Sequence, residues 1–296
     1  MLWSTLLGPF VRSTQTQISP WFNQLYSQAA TLNSCELAIL GGRLAATPGL
    51  AFLAGYQAAL RALLPAAPNG IGALCLSEQG SSKAADLQTR LVDGHLSGQK
   101  DFVLGGNAAQ WLLVIARNEV TPCTHTQLAA ALVDTSTSTV SLRPNPTLKV
   151  VPDIPHCSVQ FTQTPCEVLI GDGWSDYSKT FRTLEDAHVL AAFCAWLYGQ
   201  SLLDQWPESL QLQLIAVLAG LQETLHQPHQ EAATHLLLAA LLAQFESLQS
   251  AISTAFSCHS KPEVAQAWQR DKALLKIGQV ARERRLENAR NTLALI

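Results

Sequence analysis

Residues 70–118 read GIGALCLSEQGSSKAADLQTRLVDGHLSGQKDFVLGGNAAQWLLVIARN, and this stretch decides the fold. Its apolar runs, Gly72–Leu76, Phe102–Leu104 and Trp111–Ala116, are short and lie between clusters of Gly, Ser, Asn and Asp. That is the pattern of strands joined by turns, not of helices. Asp93–Gly94, between Thr89–Val92 and His95–Leu96, is a two-residue hairpin signal, because such a turn needs positive φ at both central positions. Leu128–Asp134 and Val159–Phe161 repeat the strand pattern, so residues 70–170 are expected to form a small sandwich or barrel.

On both sides the pattern is helical. Ser19–Pro20 reads as an N-cap with Pro at the first helical position. A second helix is expected over Cys35–Leu44, ended by Thr47-Pro48-Gly49, and a third over Leu50–Leu64, ended by Pro65 and Pro68-Asn69-Gly70. Helix returns after residue 174. Thr183–Ser260 holds no Lys or Arg but seven acids, whereas Lys261–Ile296 holds 8 of the 19 basic residues and four acids. The expected arrangement is a bundle whose last helix, Lys272–Leu293, with an apolar face of Leu274, Leu275, Ile277, Val280 and Ala281, sets its cations against acidic neighbours. Leu236–Leu242 is apolar all round, the mark of a helix buried on most sides. The fold class is therefore α+β and multi-domain: 1–69 helical, 70–170 β, 171–296 a helical bundle.

Charged residues make up 14% of the 296 residues, against about 25% in typical globular chains. With 48% apolar residues and a net charge of −3, disorder is excluded and nucleic acid has no electrostatic attraction to this surface. A charge-poor surface implies that part of it is covered by another subunit. The cation-free stretch from Thr183 to Ser260 places that contact in the C-terminal helices. No unbroken apolar run reaches the ~18 residues of a membrane span, and Met1–Phe10 lacks the basic segment of a secretory signal. Seven cysteines (Cys35, Cys75, Cys123, Cys157, Cys166, Cys194, Cys258) are odd in number and form no CxxC pair, so they read as reduced thiols of a cytoplasmic protein. His226, His229 and His235 lie around a loop and off helical ligand spacing, so no metal site is expected. No P-loop and no Gly-x-Ser-x-Gly elbow is present.

Several segments, taken in order, resemble the acyl-CoA dehydrogenase family. Leu76-Ser77-Glu78-Gln79-Gly80-Ser81-Ser82 is similar to its Thr-Glu-Pro-Gly stretch. Leu96-Ser97-Gly98-Gln99-Lys100-Asp101-Phe102-Val103 resembles its Leu-x-Gly-x-Lys-x-Trp/Phe stretch, and Trp111–Ala116 the strand ending Val-x-Ala. Leu169-Ile170-Gly171-Asp172-Gly173-Trp174 resembles the glycine turn into the bundle, followed by Phe181-Arg182-Thr183-Leu184 of the first bundle helix. The resemblance implies an FAD site. Its implied contacts are Leu76 and Ser77 at the isoalloxazine edge, Phe102 flanking the ring, Val103 beside it in the cofactor site, and Leu104 near N5 through its backbone, because the family's Thr hydroxyl is missing. Ser82 takes the substrate side, with Lys83 where the family has Asp, and Gln79 stands at the family's Pro.

The resemblance also implies a reaction: α,β-dehydrogenation of an acyl-CoA or related acyl thioester by a carboxylate base in a dry pocket. The family's late Tyr-Glu-Gly-like turn is absent. Its alternative base site, on the first bundle helix, falls at Ala187 before His188, with Glu185 and Asp186 adjacent; these two are the candidate bases. The late Gln-x-x-Gly-Gly-x-Gly segment, which in the family touches a neighbouring subunit's FAD, is also absent, and Ser77 comes earlier than the family norm. Two expectations follow. One is a compact FAD-dependent oxidoreductase that forms a homo-dimer or tetramer. The other is a degenerate relative that binds flavin, acyl chain or protein, or serves as the smaller subunit of a hetero-oligomer with a complete paralogue.

Overall fold

The computed structural model describes residues 3–29, 31–119 and 127–294. Cys123 lies outside them; the other six cysteines are free thiols. The helices are α1 (Trp3–Leu7), α2 (Ile18–Ser27), α3 (Ser34–Leu44), α4 (Pro48–Leu63), α5 (Thr180–Leu203), α6 (Glu208–His226), α7 (Ala232–Ser247), α8 (Gln249–His259), α9 (Pro262–Asp271) and α10 (Gln279–Thr292). The strands are β1 (Gly72–Cys75), β2 (Arg90–Val92), β3 (His95–Leu104), β4 (Trp111–Asn118), β5 (Leu128–Asp134), β6 (Val140–Pro144), β7 (His156–Pro165) and β8 (Glu167–Val168). They form two compact units. One gathers Met1–Ala62, Lys149–Asp153 and Thr183–Ile296; the other is Leu63–Leu148 with Ile154–Arg182.

The β-unit is one curled sheet in the order β6-β7-β3-β2-β4-β5-β8, with β1 added parallel to β4. Asp93 (φ 46°) and Gly94 (φ 74°) make the tight β2–β3 turn that the Asp-Gly pair predicts. The core lies between the curled faces: Leu91, Leu96, Val103, Leu112, Val114, Ala131, Val133, Val159 and Phe161. β6 is not among the expected strands; there Val140 and Leu142 alternate with exposed Ser141 and Arg143 and lean on the core without being fully buried.

In the helical unit α5 is the central element. Ala191 through Leu197 are essentially without exposure, and Trp196 and Trp268 stack at 5.9 Å. Glycines let α3 and α4 close on α5: a Cβ on Gly42 would lie 2.2 Å from the Ala192 carbonyl oxygen, and one on Gly55 would lie 2.6 Å from Val189 Cα. A reciprocal capping box starts α3, with Asn33 accepting from the Glu36 N–H and Glu36 accepting from the Asn33 N–H.

Three expectations need correction. The helix expected to start at Ser19–Pro20 is α2, and it begins at Ile18, with Gln17 as an N-cap that makes no side-chain bond. Burial of Ile18, Trp21, Phe22 and Leu25 at helical spacing outweighs the Ser19 cap, and Pro20 falls in the first turn, where no bond is lost. The last helix is not continuous: a 3₁₀ turn (Lys272–Lys276) and Gly278 at φ 91° separate α9 from α10, so Ile277 and Val280 are exposed instead of sharing a buried face. Within Leu236–Leu242 only Leu238 is buried, and Leu237 is 43% exposed, so this chain alone covers one side of α7. Ala232–His259, interrupted by polar residues and hence without a long unbroken run, still reaches a mean hydropathy of 1.4. That is apolar enough to cross a membrane by length and composition, but α7 packs on α6 and α10 as a bundle helix, and a span is not indicated.

Gly55→Ala tests the α4–α5 approach. Alanine adds about 1 kcal/mol of helix propensity, but its Cβ would strike the backbone of His188 and Val189, which cannot rotate away. A net loss of about 1–3 kcal/mol is expected in urea unfolding. Gly220→Ala, which displaces only a Leu241 methyl, should lose less.

Candidate functional site

The β-unit brings the segments expected to hold the flavin together. Lys100 pairs with Val159 across the β3–β7 ladder, while Val103 pairs with Cys157, so β3 carries one extra residue at Asp101–Phe102. This β-bulge re-aims side chains. Strict alternation would put Lys100 and Phe102 on one face. Instead Lys100 and Val103 both point inward with no exposure, and Asp101 and Phe102 are half-buried. The Asp101 N–H donates to the Ser77 carbonyl at 2.9 Å, which sets Ser77 beside the bulge. The Ser77 hydroxyl has no partner among the described residues.

Against Phe102 lies a residue that no sequence motif marks out. The His156 imidazole stands 4.7 Å from the Phe102 ring, tilted by 31°, because His156 is opposite Leu104 in the ladder. Burial lowers the His156 pKa, which favours the neutral ring. Only the β3–β7 register joins these positions, more than fifty residues apart.

The loop after β1 departs from the resemblance in an explicable way. Glu78 and Ser81 exchange both backbone hydrogen bonds across Gln79 (φ 51°) and Gly80 (φ 76°). Proline is locked near φ −65° and cannot occupy the Gln79 position. The Gly80 N–H donates to Asp101 Oδ2 at 2.8 Å. Beneath the turn, Lys100 Nζ donates to Glu78 Oε1 at 2.5 Å and to the Leu76 carbonyl at 3.1 Å. Glu78 also accepts from the N–H groups of Gln88 and Thr89. Burial opposes ionisation of Glu78, but the bonds from Lys100, Gln88 and Thr89 outweigh it and hold the carboxyl below its usual range. Burial likewise lowers the Lys100 pKa, with Glu78 opposing.

These residues fit one side of a flavin ring. They offer a free hydroxyl at Ser77, an aromatic face at Phe102 and a neutral imidazole behind it. The Val103 and Leu104 side chains are in the core, so these two residues have only backbone to offer. Leu76 is also buried, and Ser82 is exposed. Gly171-Asp172-Gly173 has a conformational role. Gly171 is at φ 109°, a Cβ on Gly173 would meet the Ala129 backbone at 2.6 Å, and Asp172 accepts from the N–H groups of Trp174 and Ser175 to begin the π-turn Gly173–Lys179 ahead of α5.

The candidate bases belong to the helical unit. Glu185 and Asp186 are half-buried on α5. Both Asp186 oxygens are taken by α10: Oδ1 by Arg282 at 3.0 Å and Oδ2 by Arg285. This is the pairing of the basic last helix with an acid that the charge pattern predicts. Burial raises the Asp186 pKa, and the two guanidiniums counter it. His188 is fully buried, its Nδ1 2.7 Å from the Leu184 carbonyl and its Nε2 without a partner; burial lowers its pKa to about 4.

The His188 shift fixes the sign of a pH effect. Its folded value lies below the ordinary 6.5, so its contribution to stability is complete above pH 6.5 and is lost as pH falls toward 4. About 3 kcal/mol should go over that range. In His188→Leu the acid limb of a Tm–pH profile should flatten; His156, His229 and His235, also lowered by burial, leave a weaker slope of the same sign.

No protein-family model matches the chain, and no curated protein sequence does. Solved structures do match. One is FkbI, described for biosynthesis of the methoxymalonyl extender unit of the polyketide Fk520, at TM-score 0.67 and 16% identity over 90% of this chain and 86% of that one. Butyryl-CoA dehydrogenase from Megasphaera elsdenii matches at TM-score 0.66 and 13% identity, over 94% and 87%. PigA with FAD and proline matches at TM-score 0.65 and 15% identity, over 95% and 91%. At such identities the likeness is one of fold, and the chain has the acyl-CoA dehydrogenase fold, in which the strands fall between two sets of helices in chain order.

Proposed function

We propose that the chain is an FAD-dependent oxidoreductase that dehydrogenates an acyl thioester at its α,β bond. The observation that carries this reading is the Asp101–Phe102 bulge, which turns an aromatic ring outward beside the unpartnered Ser77 hydroxyl. The fold, shared with a butyryl-CoA dehydrogenase and with a protein solved with FAD, supports it. Bound flavin supplies the electron-pair acceptor. Ser77 hydrogen-bonds the ring edge, Phe102 covers a ring face, and the Val103–Leu104 backbone lines the site. Ser82 lies on the substrate side.

Glu185 is the proposed base for the α-proton, ahead of Asp186. Protonating Asp186 would break two ion pairs and strand two part-buried guanidiniums, a heavy cost. Self-association through the C-terminal helices is part of the proposal. Leu212 on α6 (58% exposed) and Leu237 on α7 (43%) leave apolar surface that a second subunit would cover. The buried Leu104 side chain and the missing late base turn favour a second reading: a relative that binds flavin or an acyl chain without turnover, or the smaller subunit beside a complete paralogue.

The purified protein should show flavin absorption, or take up added FAD, and bleach anaerobically with an acyl-CoA. Glu185→Gln should slow that bleaching about 10²–10⁴-fold, with Asp186→Asn affecting mainly unfolding. Colourless protein that takes up no FAD would sink the proposal, and flavin that no acyl thioester reduces would favour the second reading. Light scattering at micromolar concentration should give a dimer or larger, and Leu237→Arg should shift it toward monomer.

A further inference from the structure

Among the described residues, Glu78–Lys100 is the buried ion pair of the β-unit, with side chains 5% and 0% exposed. Stability alone does not account for it, because replacing such a pair by well-packed apolar groups of similar volume is often neutral or stabilising. Its bonding pattern is more informative. Among the described residues, the bonds of the two side chains go to the other member of the pair or to backbone near the proposed flavin face: the Leu76 carbonyl and the N–H groups of Gln88 and Thr89. Lys100 is also the last residue in register before the bulge, two positions ahead of Phe102. The turn above it, with Gln79 and Gly80 exposed and left-handed, has little apolar packing of its own.

We infer that the Glu78–Lys100 pair is a positioning device that locks the Leu76–Ser81 loop to the Asp101–Phe102 bulge, so that Ser77 and Phe102 are preorganised for a flavin before it binds. The inference rests on the flavin reading above. Neither residue touches the ring; both act through Ser77 and Phe102. A loop ordered in advance removes an ordering cost from the binding step.

The test is the double variant E78Q/K100M, which keeps volume and the acceptor for Gln88 and Thr89 but removes both charges. Its Tm should stay close to that of the wild type. Its FAD dissociation constant should rise about tenfold or more, and flavin-free amide exchange over Ser77–Ser81 should speed by a similar factor, with exchange in β4 and β5 unchanged. Should the double variant fail to fold, Lys100→Met alone is read in the same way, since Glu78 then keeps the Gln88 and Thr89 N–H donors, whereas a lone Glu78→Gln would strand the lysine charge in the core. Wild-type affinity together with wild-type loop exchange overturns the inference. Wild-type protein that takes up no FAD overturns the flavin reading and this inference together; wild-type uptake with an indifferent variant overturns this inference alone.

Discussion

A lysine with no solvent exposure must be neutralised where it stands, and Lys100 meets that demand with Glu78 and the Leu76 carbonyl. Much of the β-unit's local geometry follows. Glu78 is drawn under its own turn and also reaches the start of β2 at Gln88 and Thr89. The loop then passes over β3, where Asp101 bonds both Ser77 and Gly80. With Lys100 and Val103 both committed inward, the extra residue between them bulges, and Phe102 turns outward toward His156.

The helical unit is governed by a different constraint, the close approach of backbones around α5. Gly42 and Gly55 have no side chain because the Ala192 carbonyl and the Val189 backbone occupy that space. Helices that close surround α5 with apolar groups. His188 is thereby held toward its neutral form, and Asp186 needs the two arginines of α10. The scarcity of charge between Thr183 and Ser260 thus has two sources: a central helix buried on all sides, and helices such as α7 whose second side this chain leaves open.

Much of the fold was legible in the residues. Alternating short apolar runs mark β1, β4 and β5, and the Asp93–Gly94 turn follows from the φ values it requires. Helix existence was legible, but the boundaries at Ile18 and Gly278 were not, because burial of Ile18 and the 3₁₀ break after Asp271 depend on neighbours far along the chain. Of the candidate site, Ser77 and Phe102 could be named from motif order. His156 could not, since nothing local to Pro155-His156 signals an aromatic partner on another strand.

The sequence by itself determined the order of helix, sheet and helix, the tight β2–β3 turn and the placing of an acid opposite the basic last helix. These depend on periodicity, turn stereochemistry and net charge, which are local properties. Only the tertiary structure decided which way Phe102 faces, that Glu78 and Lys100 share one buried bond, and that Asp186 is paired while His188 is buried without a partner for Nε2. A one-residue shift in strand register, or the approach of a distant helix, reverses such outcomes without changing any local pattern.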